Sequence, residues 1–276
     1  MMQNLIALFS FEFFKNAFLA AFLSSVTCGI IGTYIVSRRI VFISGGITHA
    51  SFGGIGMGYY FGFDPIAGAI GFGILSALGI EFFTKRADLR EDSAIAMLWS
   101  LGMALGVIFI FLTPGYAPNL MSYLFGNILT VSKGDLMYLI FLAVFVIGFF
   151  ITFFRMIIFV SFDEEFARTN NAPVRLFNAL LISLVALTIV LNIRVVGIIL
   201  VMSLLTIPQA IANLFTKRFD YMIVYSILVG FLGSITGLTL SYIYDIPSGA
   251  AIIFTLVVFY GIIKSMFVFF GKARIF

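Results

Sequence analysis

The chain alternates long apolar runs with short polar breaks, and the runs have the length a membrane demands. A helix needs about 20 mostly apolar residues to cross the hydrocarbon core. Runs of that kind are predicted at 17–36, 47–62, 66–83, 93–112, 135–154, 176–192, 195–215, 221–244 and 249–268. The breaks between them include Arg38-Arg39, the Phe63-Asp64-Pro65 turn, a charged loop from Lys85 to Asp92 and a polar stretch from Arg155 to Arg175. Residues 113–134, with two prolines and two asparagines around an apolar middle, read as a surface or partly re-entrant segment. The pattern predicts an all-α, polytopic transmembrane bundle of about eight or nine spans, organised as one domain over residues 1–276.

Composition agrees with the pattern and removes other classes. The chain is 62% hydrophobic and 10% charged, with 35 Phe, more apolar surface than a water-soluble domain can bury. The ten-residue alternation of an outer-membrane barrel is missing. The opening residues lack a basic start and carry Glu12, so the first span, rather than a cleaved leader, is expected to direct insertion. Charge then sets the orientation. With the Arg38-Arg39 break in the cytoplasm, only Lys15, Lys133 and Arg194 fall outside, leaving 13 of the 16 Lys and Arg inside. The expected location is the cytoplasmic (inner) membrane. The basic residues lie where topology wants them, so the net charge of +4 calls for no nucleic-acid partner. Cys28 is the only cysteine, which excludes an internal disulfide, and its place within a span reads as packing.

Candidate chemistry gathers at residues 37–62, SRRIVFISGGITHASFGGIGMGYYFG. His49 is the only histidine of the chain. An ionisable side chain at membrane depth is costly without a partner or a task. Imidazole suits zinc and other divalent transition metals, and Ser44 and Thr48 supply nearby oxygens. A bond to a neighbouring carbonyl that merely joins two helices is the competing reading. One histidine cannot build a four-ligand site, which favours an ion in passage over a permanently bound cofactor. Gly45-Gly46 predicts a break in the helix ahead of the histidine, as in transporters whose broken helices mark the substrate path. Gly54, Gly58 and Gly62 recur every fourth residue on one face and predict close helix packing. On the expected cytoplasmic side, Asp163, Glu164, Glu165 and Arg168 read equally as a short helix lying along the membrane, a handle for a partner, or as a solvated loop.

Several stretches together resemble the membrane permeases of ATP-binding-cassette importers for zinc, manganese and iron, the ABC-3 family: RRIVFISGGITHASFGGIG at 38–56, LFGNIL at 124–129, DEEFARTNNAPV at 163–174, VVGIILVMSLLTIPQAIANL at 195–214 and DIPSGAAIIF at 245–254. The resemblance implies a homodimer, a cytosolic ATPase subunit seated on a coupling helix at 163–174, and an extracytoplasmic binding protein that delivers zinc or manganese. The family often carries an acidic residue four positions before the histidine, where this chain has Gly45, and a Gly where it has Asn171. No G-x-x-x-x-G-K-[ST] occurs, so ATP hydrolysis is expected on another chain. An ion-coupled carrier or channel is the alternative, although such carriers usually hold carboxylates within their spans. An importer of a metal chelate or a cobalamin-like cargo would share the architecture. An intramembrane enzyme is disfavoured, because no nucleophile has a base beside it.

Overall fold

The structure is a computed structural model that describes residues 11–86, 89–114, 126–169 and 173–271. Among the described residues there are eleven α-helices, one 3-10 turn at Ile128–Thr130 and no strand. The helices are α1 (Glu12–Ser37), α2 (Val41–Phe61), α3 (Pro65–Arg86), α4 (Glu91–Leu112), α5 (Lys133–Phe162), α6 (Glu164–Thr169), α7 (Val174–Val196), α8 (Ile198–Leu204), α9 (Ile207–Phe215), α10 (Phe219–Tyr244) and α11 (Ser248–Gly271). Eight segments, with α8 and α9 taken together as one, are long and apolar enough to cross a membrane. The chain is a multi-pass, all-helical membrane protein.

The helix α2 is not among those eight. Its glycines, hydroxyls and histidine dilute its hydropathy, yet 14 of its 21 residues are buried, so it is shielded by protein where α11 turns most of its surface outward. Residues 115–125 of the segment expected at the surface, and 170–172 of the expected coupling stretch, lie outside the described residues.

Contacts gather the helices into two compact units. The first holds α1, the 3-10 turn, the start of α5 and α8–α11. In it Gln209 Nε2 donates to Cys28 O of α1 at 2.9 Å and to Leu204 O at the end of α8 at 3.1 Å. The second unit holds α2–α4, the rest of α5, α6 and most of α7. Within it α2 is flanked by α3 and α4 at backbone distance. A methyl group on Gly54 would lie 2.0 Å from Gly68 O of α3, and one on Gly56 would lie 2.5 Å from Gly106 O of α4. Gly62 ends α2 in the left-handed conformation, φ 76°, its N–H bonded to Gly58 O. It caps the helix and has open space around it. Pro65 then begins α3, and Asp64 Oδ1 accepts the Ile66 N–H at 2.8 Å, so that aspartate is spent on the turn.

Three expectations are corrected. No break occurs at Gly45-Gly46, for α2 runs unbroken from Val41. The absent Gly46 side chain is used for packing instead, since a methyl there would meet Ile95 Cγ2 at 2.7 Å. The break falls in the span expected to be continuous over 195–215. Gly197 at φ 82° divides α7 from α8, and Leu205-Thr206 divides α8 from α9 just ahead of Pro208. Finally, α5 continues to Phe162 rather than stopping near 154, with non-helical angles at Phe153. Ile157 and Val160, three apart, are fully buried and carry the apolar stripe through Arg155.

Candidate functional site in the second unit

His49 projects from the middle of α2 and is half-buried. Its imidazole stacks on the indole of Trp99 from α4, with ring centroids 4.1 Å apart and planes 5° from parallel. The Nδ1 atom is buried and has no hydrogen-bond partner. Glycine contacts bracket the stack. One turn before it Gly46 meets the Ile95 side chain, and beyond it a methyl on Gly102 would lie 2.5 Å from O of Ala50, the residue next to His49. The spacing of the two rings is therefore set by glycine contacts that allow no further approach.

The hydroxyls near His49 serve the helix. Ser44 Oγ donates to Val41 O at 2.6 Å, Thr48 Oγ1 to Ser44 O at 2.5 Å and Ser51 Oγ to Ile47 O at 2.7 Å. Such bonds hide a hydroxyl at membrane depth and leave only oxygen lone pairs for a ligand. Gly45, one turn ahead of His49, is buried and offers no side chain. Among the described residues no three His, Cys, Asp or Glu side chains come together as a metal-holding group. The arrangement can offer an imidazole nitrogen to a passing ion, with no carboxylate on α2 beside it.

A second group of predicted residues lies at the Arg38 end of the same unit. Asp163 caps α6, its Oδ1 accepting the Phe166 N–H at 2.9 Å. Glu164 bonds Arg168 one turn on at 2.7 Å and also faces Arg38 at 4.0 Å. Arg38 Nη1 donates to Val160 O in the last turn of α5 at 2.6 Å. A single arginine at the entrance to α2 thus ties together the end of α5 and the start of α6. Asp163, Glu165 and Arg168 are exposed, while Ala167 seats the helix.

Sequence reasoning overlooks two residues and one link here and in the first unit. Trp99 is the sole tryptophan of the chain, and its place in a span seven residues beyond Asp92 was a usable signal. Gln209, an amide in an apolar run beside Pro208, carried a similar one. The link from Arg38 to Val160 O has no trace in sequence, because the two residues are 122 apart.

The model of the ABC 3 transport family matches residues 10–268. The uncharacterized membrane protein slr2045 of Synechocystis is 40% identical over 253 residues, 92% of this chain and 90% of that one. The manganese transport system membrane protein MntC of Halalkalibacterium halodurans is 34% identical over 246 residues, 89% of this chain and 84% of its own length. Among solved structures, PsaBC from Streptococcus pneumoniae in complex with Fab is similar with a TM-score of 0.86, at 30% identity and with 95% of each chain covered.

Proposed function

This chain belongs to the ABC-3 transport family and is a permease subunit of a metal importer; from that premise we propose that it passes zinc or manganese inward across the cytoplasmic membrane beside His49. The observation that carries this reading is the sole histidine, held at the middle of a shielded helix with Nδ1 buried and unpartnered. An unpaired buried nitrogen loses hydrogen bonding unless something binds it. An ion that sheds water at that depth gains a ligand in exchange, and a single ligand lets it leave again.

Energy comes from a separate cytosolic ATPase, since the chain has no phosphate-binding loop of its own. Its seat is α6 with the residues that follow to 174, where exposed Glu165 and Arg168 offer polar contacts and Arg38 passes movement to the start of α2. The permease works as a homodimer that alternates between external and cytosolic openings. An extracytoplasmic binding protein supplies the metal. The lining of a cavity of about 530 Å³ in the first unit, with Asn127, Asp245 and Ser248, supports a docking place for it, because that end is external by the Lys and Arg distribution.

The test is uptake of radioactive zinc and manganese by cells with the chain intact, deleted or carrying His49→Ala at matched expression. Loss in both altered strains is the expected result. Loss in the deletion alone removes His49 from the path, and loss in neither transfers the reading to a metal chelate or another cargo.

A further inference from the structure

The only tryptophan of this protein lies flat against its only histidine. Trp99 also lines a cavity of about 760 Å³ together with Phe42, Ile95, Ala96 and the Arg90-Glu91-Asp92 run at the start of α4, whereas His49 is not part of that lining. By the Lys and Arg distribution, the Arg90-Glu91-Asp92 run that lines this cavity is on the cytoplasmic side. From Arg90 to Trp99 a helix rises about 13 Å, and from Val41 to His49 about 12 Å. The two rings therefore lie at a common depth, and the indole separates the face of the imidazole from the cytoplasmic cavity.

We propose that Trp99 is the positioning residue for His49: its indole holds the imidazole plane and screens its face from the cavity lined by Phe42, Ile95 and Ala96. The inference rests on His49 being in the metal path. A metal bonds to imidazole in the ring plane, through a nitrogen lone pair. A ring stacked on one face cannot swivel about its second side-chain torsion without losing that contact, so the stack fixes where the lone pair points. Gly46 against Ile95 and Ala50 against Gly102 prevent slippage along the helices on either side of the stack. Such orienting groups around a metal ligand are worth about 10–100-fold in affinity or activity. Ile95, which is buried, and Ala96 line the cavity beside the indole.

Two measurements test this. The first compares metal uptake by Trp99→Phe and Trp99→Leu with wild type at matched expression. Phe keeps an aromatic face for the stack and is expected to transport within about 2-fold of wild type. Leu keeps apolar bulk without that face and is expected to fall by about 10–100-fold. Equal uptake by the Leu and Phe variants, whether both normal or both lost, would overturn the proposal. The second uses the full chain in detergent micelles, where no other protein is present and all tryptophan emission comes from Trp99. His49→Gln must change its intensity or maximum, and identical spectra would show that the rings do not stack. A His49→Gln strain that transports normally while the spectra differ would fail the metal-path reading and leave the stack standing. A defective His49→Gln strain beside a normal Trp99→Leu strain would fail only the present inference.

Discussion

Replacing Gly54 by Ala measures how tightly α2 is seated. The added methyl would stand 2.0 Å from Gly68 O and 2.3 Å from Gly68 C, against 3.4 Å for ordinary contact. Both obstructing atoms are backbone, so no rotamer change relieves the clash and α2 must move from α3 by about 1 Å. Moving a packed element to admit one methyl costs about 1–3 kcal/mol, and more where the backbone itself shifts. The Gly-to-Ala change returns about 1 kcal/mol of helix propensity. The net loss is about 2 kcal/mol, roughly 30-fold in the unfolding equilibrium. Gly71→Ala on α3 is the matched control, because nothing lies within 4 Å of its added methyl. It should be neutral or stabilising by up to about 1 kcal/mol. Unfolding in mixed micelles, followed by helical circular dichroism, compares the two variants directly. If Gly54→Ala proves as stable as Gly71→Ala, the close approach of α2 and α3 is wrong, and with it the account of why α2 is rich in glycine.

Other predictions concern coupling and the broken span. Arg38→Glu should leave the permease inserted but cut metal uptake several-fold while the partner ATPase still binds, and adding Glu164→Arg should restore part of the loss; a fully active single variant would sever the proposed link from α6 to α2. Changing both Glu164 and Glu165 to Lys should prevent co-purification with the ATPase subunit, and retention of the full complex would remove α6 as its seat. Gln209→Leu deletes two buried bonds between α9 and its neighbours and should destabilise by about 1–2 kcal/mol, since such bonds between membrane helices average near 0.6 and reach about 1.7 kcal/mol each. Micelle unfolding indistinguishable from wild type would show that Gln209 only fills space.

The sequence by itself determined the class of this protein. Apolar runs of membrane length can be satisfied only by helices that bond their own backbone, so the long helical segments and their polar joints followed from hydropathy, while Lys and Arg set an expectation for their side. His49 stood out for a similar reason, as the one imidazole in a chain that avoids ionisable groups at depth. Only the tertiary structure decided what the glycines do. Gly45-Gly46 reads as a break on propensity alone, which costs about 1 kcal/mol per residue, and at Gly46 a neighbouring helix fills the space of the missing methyl. Gly54 and Gly62 share a spacing, yet one admits the backbone of α3 and the other turns the chain. The break in the 195–215 run, the stack of Trp99 on His49 and the reach of Arg38 to Val160 O all depend on which elements are packed together. Hydropathy reports the environment of a residue and is blind to its neighbour, and contacts between residues fifty or more apart are decided by packing.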